Sequence, residues 1–163
     1  MAISLTPLVE APLVIQLHVV SAVAAITLGP IALFRKSRDR LHKVFGYSWV
    51  IAMFFTAATS FAILESPMIG PFSIIHGLSI LTLWGLWQGV TAARARNIAR
   101  HQSEMRNLYF WAMGVAGLFT FLPGRRMNRV FFDDAPETGF AFAAVLIGGL
   151  LAWYWVRSRR AAV

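Results

Sequence analysis

Apolar runs of about 20 residues constrain this chain more than any other feature, because a helix rising ~1.5 Å per residue needs that length to cross a ~30 Å hydrocarbon core. Five such runs are legible: Leu13 to Phe34, Val44 to Leu64, Phe72 to Ala93, Leu108 to Leu122 (with a start as early as Ser103) and Phe140 to Val156. Pro7 and Pro12 suit an irregular entry or a first helical turn, and Pro30 should kink the last turns of the first run, with Gly29 leaving room for close packing. Ser66-Pro67 and Gly70-Pro71 mark a tight return, and Pro123-Gly124 ends the fourth run. A mean hydropathy of +0.63, with 58% apolar and only 13% charged residues over 163 positions, does not suit a soluble domain. The expected fold is an all-α integral membrane protein. Residues 1–134 would form a four-helix transmembrane bundle with an internal two-helix repeat and an outer polar loop, and 135–163 a fifth transmembrane helix with a basic tail.

The net charge of +8 could suggest nucleic acid, but the cations sit at the ends of apolar runs rather than on a polar domain of their own, so no nucleic-acid partner is expected. They act as topology signals. Five Lys and Arg separate runs one and two, four separate runs three and four, and three follow run five, against Arg125, Arg126 and Arg129 on the other side. In a bacterial inner membrane this puts the N-terminus outside and the C-terminus in the cytoplasm. The N-terminus lacks the basic region and small-residue cleavage site of a secretory signal, so the first run is expected to be retained. Trp49, Trp111, Trp153 and Tyr154 are candidate interfacial anchors.

The four histidines form one duplicated pattern. LHVVS (Leu17 to Ser21) matches IHGLS (Ile75 to Ser79), and each is followed about one span later by a histidine among arginines, His42 and His101. His18 and His76 each stand ~24 Å from the far ends of their runs, near the outer face. His42 and His101 share a level at the cytoplasmic face. A single interfacial histidine often only touches headgroups or caps a helix. An imidazole inside a span, however, needs a partner, which makes His18 and His76 functional candidates.

Cysteine is absent, which removes disulfides, thiolate metal sites, iron–sulfur clusters and covalent haem attachment. Zinc and copper normally need three or four protein ligands, and the two levels are too far apart for all four histidines to share one ion. Haem needs only two axial imidazoles from opposite faces, so each pair suits one six-coordinate b-type haem. Ala57, Ala58, Ser60 and Ala62, with Gly114, Ala116 and Gly117, offer room at the outer level; Gly29, Gly46, Gly85 and Gly89 offer it at the inner one. Small residues also serve ordinary transmembrane packing.

The alternation of ligands, helices one and three on one side and two and four on the other, resembles the di-haem transmembrane cytochromes of the cytochrome b-five-sixty-one superfamily. The segments LH-x-x-S, basic-loop-H-x-x-x-G, IH-x-x-S and H-x-x-x-M-R, over roughly residues 13 to 130, more closely resemble an uncharacterised family of bacterial four-helix, four-histidine membrane proteins of the domain-of-unknown-function type. The resemblance implies His18, His76, His42 and His101 as axial ligands of two haem b irons. The better-known cytochromes have six helices, and nothing in this chain matches the substrate residues of their ascorbate-using members.

Haem propionates are anionic and pair with arginine at membrane surfaces. Arg38, Arg40, Arg100 and Arg106 are candidates at the inner site. Arg125 and Arg126 are candidates outside, together with Arg129, because orientation does not explain them. Ser21, Ser79, Thr56 and Thr59 should bond back to helix carbonyls rather than act as nucleophiles. The function expected is electron transfer across the membrane between a quinol or small reductant, or a redox protein, and an acceptor; no residues identify a quinone site. The alternatives are a non-redox accessory subunit, with the fifth helix docking a larger complex or a second copy, and a histidine-based metal or proton transporter.

Overall fold

Helix boundaries in this chain are set by side-chain caps and prolines rather than by the edges of the apolar runs. The computed structural model describes residues 3–35, 37–64 and 73–160, with side chains through residue 149. The expected return at Ser66-Pro67 and Gly70-Pro71 and the side chains of the anchors Trp153 and Tyr154 lie outside what is described. The described secondary structure is all helical: α1 (Thr6–Val9), α2 (Leu13–Phe34), α3 (Arg40–Ser60), α4 (Ile74–Arg94), α5 (Ile98–Asn107), a π-helical turn (Leu108–Met113), α6 (Gly114–Thr120), α7 (Arg126–Phe132) and α8 (Thr138–Arg160). Two compact units result, residues 11–116 and residues 1–10 with 117–163.

In residues 11–116, Pro12 precedes the first turn of α2, where its missing N–H costs nothing. Asp39 caps α3 by accepting the His42 backbone N–H at 3.0 Å, and Asn97 caps α5 by accepting the Arg100 N–H at 3.1 Å. Each cap removes one orphan donor and starts its helix several residues before the apolar run begins. The fourth helical run therefore opens at Ile98, earlier than either Leu108 or Ser103, and continues through the π turn to Thr120. The turn linking α4 to α5 is tight, with Arg96 in the left-handed region at φ 58°.

α2 packs along α3, α3 meets α4, α4 lies against α5 and the π turn, and α2 also touches α5 and the π turn. The buried cluster is Ala25, Trp49, Ala52, Met53, Leu86, Met105, Leu108 and Ala112. Close approach depends on glycine at two places. A Cβ on Gly29 would overlap the Tyr109 ring and crowd Trp49 Nε1, and one on Gly89 would overlap Met105 Cε. Trp49 is only 1% exposed, so it is a core residue and not an interfacial anchor: Gly29 makes the space that takes its indole inward. Trp111 is exposed.

In the other unit, α1 packs on α7, with the Ser4 N–H donating to the Val130 carbonyl at 3.1 Å. Asn128, fully buried, donates to the carbonyls of Phe121 and Pro136 at 2.7 and 2.9 Å and so ties the turn after α6 to the start of α8. In the same unit Phe121, Phe131, Phe132 and Phe142 meet one another in tilted and edge-to-face ring contacts. The stretch expected as a polar loop thus contains a helix, α7, organised by one buried amide.

Large apolar side chains point outward along α2, α3 and α4, among them Leu17, Val20, Ile51, Phe54, Ile80 and Trp84, while the buried positions include Ala25, Gly29, Ala57, Ser79, Thr82 and Gly85. That is inverted relative to a water-soluble bundle and suits a hydrocarbon surround. Of the five expected spans, Leu13–Phe34 is the one among the described residues that is both long and apolar enough to cross a bilayer. α3 and α4 have 21 residues each, but α3 takes Arg40, His42 and Lys43 into its first turn and α4 carries His76, Ser79, Thr82 and Gln88.

Candidate functional site

At the end of unit 11–116 where α2 passes to α3 and α4 passes to α5, both connections border one cavity of about 370 Å³. That volume lies within the ~300–1,000 Å³ common for cofactor and small-molecule sites. His42, third residue of α3, and His101, in the first turn of α5, both line it. The expected inner pair is therefore brought together. Apolar walls come from Leu33, Val50, Val90, Ile98 and Met105, and the polar rim from Arg35, Arg38, Lys43, Arg94 and Arg106.

Each histidine has a different anchor. His101 Nδ1 lies 2.9 Å from the Gly89 carbonyl oxygen, which only accepts, so Nδ1 carries the hydrogen and the Nε2 lone pair is left for a ligand. His42 Nδ1 is buried with no hydrogen-bond partner among the described residues. Gly46, one turn after His42 and on the cavity wall, has nothing within 4 Å of where a Cβ would stand. Both H-x-x-x-G and H-x-x-x-M-R therefore converge on this cavity, since Met105 and Arg106 line it too.

The rim is strongly cationic. Arg35 donates to Asp39 through Nε at 2.8 Å and pairs with it a second time through Nη2. The guanidinium holds the Asp39 carboxyl well below the usual carboxylate range, helped by the His42 N–H. Among the described residues no carboxylate lies within salt-bridge distance of Arg38, Lys43, Arg94 or Arg106. Arg38 and Arg106 stand where the sequence leads one to expect an anion's partners. Arg100 does not line the cavity and faces Glu104 at 4.0 Å, one helical turn away. Sequence reasoning misses Arg35, Lys43 and Arg94 as site residues, although all three stand at helix ends beside the histidine levels.

The outer pair is held differently. Thr59 Oγ1 donates to the Phe55 carbonyl at 2.6 Å and so accepts from His18 Nδ1 at 3.0 Å, leaving the lone pair of His18 on Nε2. His76, 3% exposed, closes a capping box at the start of α4: its Nδ1 accepts the Ser73 backbone N–H at 3.0 Å, which puts the ring hydrogen on Nε2. The duplicated segments thus carry opposite tautomers. Ser21, Ser79, Thr56 and Thr59 all bond to carbonyls of the preceding turn, as expected. Ser60 and Ser79 also hydrogen-bond to each other, so part of the small-residue stripe at this level joins α3 to α4. Arg125 lies over the Phe119 ring and Arg126 donates to the Pro7 carbonyl, both within the other unit. Among the described residues no three or more His, Asp or Glu side chains gather in a metal-binding group.

An all-helical chain with large apolar side chains outward and small ones inward belongs among membrane proteins. More particularly, this chain belongs to DUF2306, a family of predicted membrane proteins, whose match covers residues 15–156. Comparison with curated proteins and with solved structures found no match.

Proposed function

We propose that the protein is a b-type transmembrane cytochrome whose inner haem is held between His42 and His101. The observation that carries this is the convergence of both imidazoles on one apolar-walled cavity rimmed by five cations. The residues fit the group: His42 and His101 would hold its iron, and Arg38, Arg94 and Arg106, which line the same cavity, would pair with its two carboxylates. Haem held there by His42 and His101 would supply one-electron transfer. The chain presents the His101 lone pair, offers apolar surface at Leu33, Val50 and Val90, and leaves space at Gly46.

A second haem at His18 and His76 rests on the duplicated sequence pattern and on the ready tautomer of His18. His76 would first have to release its bond to Ser73. With both levels loaded, the helices of residues 13–116 would form the haem-bearing bundle and carry electrons between the two faces, with a quinol, a small reductant or a redox protein as donor. On this reading residues 1–134 are the haem-bearing core and 135–163 an appended helix that serves oligomer or complex contacts, with the N-terminus outside and the C-terminus in the cytoplasm of a bacterial inner membrane.

One observation favours the other reading, an accessory subunit without cofactor: His18 and His76 both make hydrogen bonds that need no ligand. A visible spectrum of the purified protein from haem-replete cells separates the two. Sharp reduced α and β bands with one to two haems per chain support the cytochrome; a folded protein without a Soret band sinks it.

A further inference from the structure

The two histidines on the cavity are not equivalent. The bond from His101 Nδ1 to the Gly89 carbonyl fixes the tautomer and plane of that ring and leaves its lone pair on Nε2. Backbone packing maintains it, because α4 and α5 approach at Gly89 where any Cβ would overlap Met105. His42 is secured only through its main chain, by the Asp39 cap on its N–H. Its ring nitrogen Nδ1 is buried and has no partner among the described residues, and the open position at Gly46 lies on the same helix face one turn on.

We infer that His101 is the permanent protein ligand of this site and His42 the exchangeable one, so that a small neutral ligand of the carbon monoxide class takes the place of His42. The inference rests on the haem reading above. The step is a ligand substitution: the bond to His42 Nε2 breaks, the bond to the incoming molecule forms, the lone pair stays on His42, and no electron or proton is transferred. A ring with a fixed second-shell acceptor re-forms its bond from the same pose each time. A ring without one must find that pose again, and the space beside Gly46 admits a competitor meanwhile.

Carbon monoxide added to the dithionite-reduced full-length protein in detergent tests this. In the wild type we expect one haem per chain to bind it, at a rate independent of carbon monoxide concentration once His42 dissociation limits. In His42→Ala the haem should remain and bind at least about tenfold faster, a barrier lowering of ~1.4 kcal/mol; in His101→Ala the haem of this site should be lost. Retention in His101→Ala with loss in His42→Ala reverses the assignment, and indifference of both wild type and His42→Ala to carbon monoxide overturns it. Should either variant misfold, nitrogen-resolved imidazole spectra of the wild type decide: the hydrogen of His101 on Nδ1 supports the inference and on Nε2 overturns it. Wild-type protein that binds no haem removes the cytochrome reading and this inference together, whereas haem with the wrong exchange behaviour removes the inference alone.

Discussion

The Tyr109 hydroxyl donates to the Ile26 carbonyl at 3.2 Å, and that carbonyl is the one Pro30, inside α2, leaves without its helical donor. A residue in the π turn thus completes a hydrogen bond that the sequence of α2 breaks. Gly29 lets the Tyr109 ring approach closely enough to do so.

Tyr109→Phe should therefore lower stability by about 0.5–1.5 kcal/mol, the net worth of one neutral hydrogen bond. Pro30→Ala restores an N–H to the Ile26 carbonyl and should make the hydroxyl dispensable. Thermal unfolding of both single variants and the double variant in detergent gives the coupling; strictly additive effects would show that the two residues do not share this carbonyl.

Gly46→Leu should fill the cavity without disturbing the buried cluster, since nothing lies near the added Cβ. The expected outcome is a helical, monodisperse protein that has lost about one haem per chain. Unchanged haem content in Gly46→Leu would move the cofactor out of this cavity.

Asp39 gives a pH dependence of definite sign. Its carboxyl titrates below the ordinary range because Arg35 hydrogen-bonds it and the His42 N–H adds to this, so its contribution is fully present above the unfolded pKa of about 4 and is lost as pH falls through the folded value. The stability difference between wild type and Asp39→Asn should be level from about pH 8 to 5 and shrink below about pH 4. As Asp39 is exposed the difference is small, and a maximum near neutrality would contradict it.

Removing residues 135–163 deletes the Pro136 carbonyl that accepts from Asn128, so unit 117–163 should loosen. Unit 11–116 keeps all four histidines and its own buried cluster. Haem per inserted chain should stay within error of the full-length value; loss of all haem from a stably inserted core would assign α8 a part in the site.

Much of the cavity lined by His42 and His101 is legible in the sequence because the features that build it are periodic or local. The spacing from His42 to Gly46 and from His101 to Met105 is one helical turn, and Asp39 and Asn97 are helix starts readable from residue type alone. Trp49 misleads because a tryptophan near the end of an apolar run suits an interface as well as a core. What decides is Gly29 on another helix, a non-local fact. Arg94 and Lys43 look like topology signals, and only the folding back of α4 and α5 onto α2 and α3 brings them to the cavity rim. The early start of the fourth helix and the π turn within it stay hidden because hydropathy marks where a helix is apolar, not where it begins.

The opposite tautomers of His18 and His76 are beyond sequence reasoning, since LHVVS and IHGLS are alike in the residues that matter. The difference is positional: His18 is well inside α2, whereas His76 is the third residue of α4 and lies within reach of the Ser73 N–H. Any ligand taking the His76 lone pair must borrow the hydrogen-bond acceptor that begins α4. A ligand at His76 would thus cost α4 one bond of its capping box, and the Ser73 hydroxyl, 3.1 Å from the same ring nitrogen, is placed to accept the displaced hydrogen.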